Sequence, residues 1–188
     1  MNLRPSAIHA REVFNNLMIV LMAGVPGTGK TTLARELAAH SGGRVLSKDE
    51  VRHALFLPDE IEYSSGQDDF CLHVMLETAG QLFERSPNWI IFLDGRPFSR
   101  RYQIENVVRA ATSLHQSWRI LECVCPEQIC RQRIEEQSAE GTHPAGNRDF
   151  QLYLEVKSRF EAITLSKAVI DTSLPLKACV AEALAVLA

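Results

Sequence analysis

Gly24-Val25-Pro26-Gly27-Thr28-Gly29-Lys30-Thr31 fits the pattern G-x-x-x-x-G-K-[S/T], a loop whose backbone amides wrap a polyphosphate. Glycine is required there because a side chain would block the approach. In such a loop Lys30 reaches the β- and γ-phosphates and the Thr31 hydroxyl binds Mg²⁺. Just upstream, Leu17-Met18-Ile19-Val20-Leu21-Met22-Ala23 is a continuous apolar run, as expected of a strand buried on both faces of a parallel sheet. Downstream, Thr32-Leu33-Ala34-Arg35-Glu36-Leu37-Ala38-Ala39 is rich in helix formers and sets Leu33 and Leu37 at i, i+4. Strand, glycine loop and helix start in that order aim unsatisfied amides and the positive helix end at an anion.

The same alternation continues along the chain. Apolar runs at residues 44–47, 89–94, 119–124 and 168–171 read as strands, with helical segments at 68–85, 100–114, 126–137, 150–163 and 176–187 between and after them. This order predicts an α/β fold, a three-layer sandwich whose parallel sheet of about five strands is covered on both faces. One domain over residues 1–188 is expected. In the helix from Asp68, residues Phe70, Val74, Met75, Ala79, Leu82 and Phe83 share a stripe that reads as core. Residues 6–14 are expected to add a short helix. Residues 138–147, with Gly141, Pro144 and Gly146, break a helical pattern and read as a loop. A lid there, over about 131–149, would exclude water from the site.

Composition narrows the partners. A net charge of −3 over 188 residues gives no overall bias toward nucleic acid or anionic membrane. The longest apolar run is too short to span a bilayer, and the start of the chain mixes Arg4, His9, Arg11 and Glu12 with apolar positions, unlike a signal peptide. A cytoplasmic protein with no membrane partner is expected. Five cysteines stand at positions 71, 123, 125, 130 and 179. Cys123-x-Cys125 with Cys130 matches no common zinc spacing, and reduced core thiols are the expected state.

Two further groups belong with the loop. Ser47-Lys48-Asp49-Glu50-Val51-Arg52 follows the second strand. Groups at the carboxyl ends of strands line the ligand crevice of open α/β sheets, which puts Asp49 near a γ-phosphate. A carboxylate there can take the proton of an attacking hydroxyl or hold it in line. Arg52, one helical turn on, would share that face and pin an acceptor or offset charge. The plainer alternative is an Asp helix cap followed by a solvated Arg. The third strand ends in Asp94-Gly95, beside the strand that feeds the loop, where an Asp can hold Mg²⁺ as the Walker B Asp does. No Glu follows Asp94, which argues against a motor-type ATPase.

With the phosphate loop through Thr32, the Asp49-x-x-Arg52 pair, Asp94-Gly95 with Arg100-Arg101 beyond, and Ile170-Asp171-Thr172-Ser173, the chain resembles the P-loop kinases that include polynucleotide 5′-hydroxyl kinase, zeta toxins and chloramphenicol phosphotransferase, relatives of the adenylate and shikimate kinases. The resemblance implies an ATP- and Mg²⁺-dependent enzyme in which Gly24, Pro26, Gly27, Thr28, Gly29, Lys30, Thr31 and Thr32 hold nucleotide. It further implies that Thr31 serves the metal, Asp94 partners the metal or the acceptor, Asp49 activates the acceptor, and Arg52 contacts acceptor or transition state. Such kinases carry an R-x-x-x-R lid pair; here Arg133 takes the first place and Gln137 the second, so Arg131 or Arg148 is left to supply the missing charge. The 170–173 turn would flank the adenine.

Residues 59–69 hold Asp59, Glu60, Glu62, Asp68 and Asp69 and no Lys or Arg. A polyanionic acceptor would be repelled by such a surface, unless the stretch is a solvated loop that touches nothing. The sequence therefore predicts a kinase acting on a hydroxyl of a small molecule, with Lys30, Asp49, Arg52 and Arg133 as catalytic residues and Arg133 with Arg148 closing over the nucleotide. A polynucleotide 5′-hydroxyl kinase and a nucleotide-binding regulatory module without phosphotransfer are the alternatives.

Overall fold

Met18–Ala23 forms strand β1, every residue of it buried, because its two faces enter two different cores. Met18, Val20 and Met22 pack with Leu33, Leu37 and Val180 on one side; Ile19, Leu21 and Ala23 pack with Leu72, Met75 and Val107 on the other. Strand side chains alternate between faces, so a strand covered twice must be apolar throughout. The computed structural model describes residues 18–85, 89–140 and 149–188. The expected helix over 6–14, residues 141–147 of the expected lid loop, and Arg148 lie outside these.

The remaining elements are helix α1 (Lys30–Ser41), β2 (Arg44–Ser47), α2 (Lys48–Leu55), α3 (Ser65–Arg85), β3 (Ile90–Asp94), α4 (Arg101–Ser113), β4 (Ser117–Val124), α5 (Glu127–Glu140), α6 (Phe150–Ser158), β5 (Ala168–Asp171) and α7 (Leu176–Leu187), with one 3₁₀ turn at Pro58–Glu60. The strands form one parallel sheet ordered β2-β3-β1-β4-β5. Helices α1 and α7 cover one face, α3 and α4 the other. The chain moves outward from β1 to β2, returns to β3, then crosses to β4, so β1 lies at the point where strand order reverses. Ligand crevices form at the carboxyl ends of strands at such points.

Two helix ends and one core assignment are corrected by the structure. Helix α5 continues to Glu140 rather than stopping at Gln137, since Ser138, Ala139 and Glu140 precede the first breaker, Gly141. Helix α6 ends at Ser158 rather than at residue 163: the Glu161 amide donates to Ser99 O at 2.9 Å, and Phe160 and Ile163 turn into the α3–α4 core. In α3 the buried stripe is Cys71, Leu72, Met75, Ala79 and Phe83. Phe70, expected in the core, is exposed and meets the edge of Phe56 at 5.9 Å between ring centroids. Among the described residues no helix is long and apolar enough to cross a membrane.

Candidate active site

Helix α1 starts without a side-chain cap: Gly29 stands at its N-cap in the left-handed region, and the first turn holds no acidic residue. The first amides of a helix have no partner inside it, so here they are left to whatever occupies the loop. Two glycines shape the loop for a reason other than ligand access. A Cβ on Gly24 (φ +130) would collide with the Cys123 carbonyl oxygen, and one on Gly27 (φ +82) would stand 2.7 Å from Cys130 O. Both keep the loop pressed on β4 and α5. Within the loop, Lys30 Nζ donates to Val25 O at 2.8 Å, as does Thr28 Oγ1.

A cavity of about 860 Å³ opens over this loop, within the range of small-ligand sites. Pro26, Gly27, Gly29, Lys30, Thr31 and Thr32 reach its wall, whereas Gly24 and Thr28 support the loop from beneath. The same cavity is lined from the β2 and β3 side by Asp49, Arg52 and Asp94, and from the β4 and β5 side by Arg133 and Thr172.

Asp49 is not the cap of α2. Ser47 takes that place, its Oγ accepting from Glu50 N at 3.4 Å. Asp49 is 6% exposed and Arg52 is fully buried, which rules out a solvated arginine. Arg52 Nη1 donates to Asp49 Oδ1 at 3.1 Å, its Nη2 pairs with Asp68 Oδ1, and its guanidinium stands 4.9 Å over the Tyr63 ring. Lys48 Nζ joins the same set, 2.8 Å from Asp68 Oδ1 and 3.7 Å from Asp49 Oδ1. Both contacts to Asp49 thus fall on Oδ1. Two buried cations and two carboxylates compensate one another, as burial of charge demands.

The acidic stretch therefore does not face the cavity as a block. Asp68 and Asp69 serve as counter-ions to Lys48, Arg52 and Arg96, while Asp59, Glu60 and Glu62 are exposed. Glu60 caps its own turn, accepting from Leu57 N at 2.9 Å.

Asp94 ends β3 opposite Ser47 in the neighbouring strand. It is 1% exposed and its Oδ1 has no hydrogen-bond partner. An orphaned buried carboxylate oxygen beside a phosphate loop fits a hard cation or its water ligands, and the Thr31 hydroxyl on the same wall fits the same role.

Across the loop, Arg133 ties α5 to the rest. Its Nη2 donates to Thr172 O at 2.8 Å, and its Nη1 to Thr172 Oγ1 at 3.3 Å and Gly27 O at 3.4 Å. Thr172 Oγ1 in turn donates to Thr28 O at 2.8 Å. Gln137 lines the cavity too, with its Oε1 buried and unpartnered. Arg131 points elsewhere, pairing with Glu135 at 3.2 Å and lying 4.2 Å over Phe150. Arg159, just past α6, reaches the cavity and was not singled out in the sequence, because nothing local marks it.

The five cysteines are free, Cys125 half-buried and the others buried. Burial pushes the Cys123 thiol up to about 12. Burial, with the Cys125 thiol 3.1 Å away, does the same for Cys130.

A glycine loop between a central parallel strand and an uncapped helix, with a strand-end Asp beside it, defines a P-loop NTPase fold of the α/β class. Residues 19–162 match the family described as AAA domain, and the chain belongs to that family. Solved structures of similar fold include a provisionally assigned kinase from Chloroflexus aurantiacus J-10-fl (TM-score 0.69, 22% identity, 91% of this chain and 98% of that one). A gluconokinase from Sinorhizobium meliloti 1021 is similar at TM-score 0.64 and 18% identity over 93% of this chain and 92% of that one. The APS kinase of Mycobacterium tuberculosis in complex with AMPPNP and APS is similar at TM-score 0.64 and 15% identity over 92% and 98% of the two chains. No curated protein sequence matches the chain.

Proposed function

We propose that the chain is an ATP-dependent kinase that passes the γ-phosphoryl group to a hydroxyl of a small-molecule acceptor, working as a single domain with residues of about 131–149 as its lid. The observation that carries this reading is one cavity lined by Lys30 and Thr31 of the loop together with Asp49, Arg52 and Asp94. Kinases of small molecules stand among the similar folds, and one of them is seen with AMPPNP and APS; this supports the reading without fixing the acceptor.

In this mechanism the loop amides and Lys30 hold the β- and γ-phosphates, and Arg133 lies over the nucleotide from the β4–β5 side. Thr31 and Asp94, directly or through water, would hold Mg²⁺, which when bound would supply neutralisation of charge on the phosphate oxygens. Asp49 has Oδ1 occupied by Arg52, so Oδ2 is the atom that accepts the acceptor's hydroxyl proton or holds that hydroxyl in line. Arg52 fixes Asp49 and offsets charge at the transferring group. Placement and charge stabilisation supply most of the rate in such transfers.

The test is a pooled-metabolite incubation with ATP and Mg²⁺, read by mass as the gain of one phosphate, with a 5′-hydroxyl oligonucleotide as a separate arm. Lys30→Ala abolishes the gain. Asp49→Asn keeps nucleotide binding and slows transfer by about 10²–10⁴-fold. Tight ATP binding with no acceptor phosphorylated would favour a regulatory module instead; phosphorylation of the oligonucleotide alone would replace the small acceptor.

A further inference from the structure

We propose that the acceptor carries an anionic group and that Arg96 holds it. The inference rests on the kinase reading and names the class of molecule that enters beside Asp49: a small hydroxyl compound bearing a carboxylate or a tetrahedral oxyanion.

Arg96 sits two residues beyond Asp94 and is 1% exposed. A guanidinium has five N–H donors, yet here only Nη2 is engaged, at 2.6 Å from Asp69 Oδ1 and 3.4 Å from Tyr102 Oη. Nε and Nη1 are buried without any partner. Its counter-ion is weak for so buried a charge, since the Asp69 side chain is 41% exposed. Lys48, Arg52, Asp49 and Asp68 close a compensated set of their own, which leaves no further carboxylate of that set for Arg96.

A purely structural pin between α3 and the β3–α4 loop would satisfy its donors or stay near solvent, because unpartnered buried charge destabilises the fold. An incoming anion relieves that penalty and gains a charge-assisted hydrogen bond in a dry site. The placement selects which ligand brings it. Arg96 belongs to the β2–β3 side with Asp49, across the phosphate loop from Arg133 and Thr172, which in the kinase reading is the acceptor's side. Arg100 and Arg159 line the same cavity, Arg100 pairing with Glu161 at 2.9 Å. The cavity's size suits a metabolite rather than a duplex or a folded partner.

Calorimetry on the full chain, saturated with a non-hydrolysable ATP analogue and Mg²⁺ so that the phosphate loop is filled, reads this directly. Sodium sulfate, inorganic phosphate and sodium acetate are titrated at constant ionic strength against sodium chloride. Saturable binding of sulfate and phosphate identifies a tetrahedral oxyanion, and of acetate a carboxylate. Asp69→Asn, a change at a half-exposed side chain, removes the competing counter-ion and tightens the anion by about 3- to 10-fold. Arg96→Gln weakens it by at least about 10-fold, with Arg96→Lys between the two. Absence of saturable binding, or binding that neither substitution moves, overturns the assignment. Failure of the analogue itself to bind overturns the kinase reading as well, and the two failures are separate signals in one experiment.

Discussion

Asp94 is a single residue left unsatisfied in the folded protein, and the proposed metal role gives that oxygen a partner. Its Oδ1 is buried without a partner, and such an atom costs about 1–3 kcal/mol. Asp94→Asn keeps the volume and removes the charge. We expect the nucleotide-free variant to melt higher by about 2–4 °C, the usual shift per kcal/mol for a chain of this size. The added melting temperature given by Mg²⁺ with nucleotide should shrink, and the Mg²⁺ needed for half-saturation should rise by about 10- to 100-fold. A variant that melts lower and keeps its Mg²⁺ response would remove Asp94 from the metal site. Arg96 is the complementary case, an unsatisfied cation. No local pattern marks it, because its neighbours Asp69 and Tyr102 are 27 and 6 residues away and its burial follows from packing alone.

At the scale of elements, the phosphate loop works as a joint between β1, β4 and α5. The pattern of Gly24, Gly27 and Gly29 was legible as a nucleotide loop from spacing alone. The contact of Gly27 with the Cys130 backbone was not, since it joins residues about a hundred positions apart. Gly27→Ala places a methyl 2.7 Å from Cys130 O and 2.9 Å from Cys130 Cα, and a backbone cannot swing aside as a side chain would. It also forces a positive φ on a residue with Cβ, at about 1–3 kcal/mol. We expect thermal unfolding to drop by several degrees and nucleotide binding to be lost in calorimetry, with helix content unchanged by circular dichroism. Normal affinity in that variant would mean that the loop tolerates movement away from α5. Helix α6 teaches a related lesson. Its apolar pattern continues past Ser158, yet the Glu161 amide bonds Ser99 and the Glu161 carboxylate accepts the Arg101 N–H at 2.7 Å, so a tertiary contact ends what propensity would continue.

Across the whole molecule, two apolar cores flank the sheet, with Cys123 in one of them and Cys130 in a smaller cluster with Ile134 and Tyr153, and these buried thiols couple stability to pH. Both thiols hold their protons to about pH 12 in the folded protein, against 9.0 ordinarily. Unfolding therefore releases protons above about pH 9, where the open chain ionises and the folded one does not. Stability from this source is complete below pH 9 and is lost as pH climbs from 9 toward 12. Melting temperature measured between pH 7.5 and 10.5 should be flat at first and then fall, and the fall should be shallower in Cys123→Ala, which starts from a lower value because a small cavity opens. An identical slope in both proteins would assign the alkaline loss to other groups.

The sequence by itself determined the phosphate loop, the parallel α/β plan and the candidate roles of Lys30, Thr31, Asp49 and Asp94, because these depend on local spacing and on a strand run apolar enough to be covered twice. Only the tertiary structure decided how the charges are shared. Asp68 and Asp69, read along the chain as part of an acidic surface, fold back as counter-ions of Lys48, Arg52 and Arg96, and Gln137 from α5 and Arg159 from just past α6 meet at the cavity. Charge pairing inside a protein is set by distance and burial in three dimensions, and neither quantity is written in the order of residues.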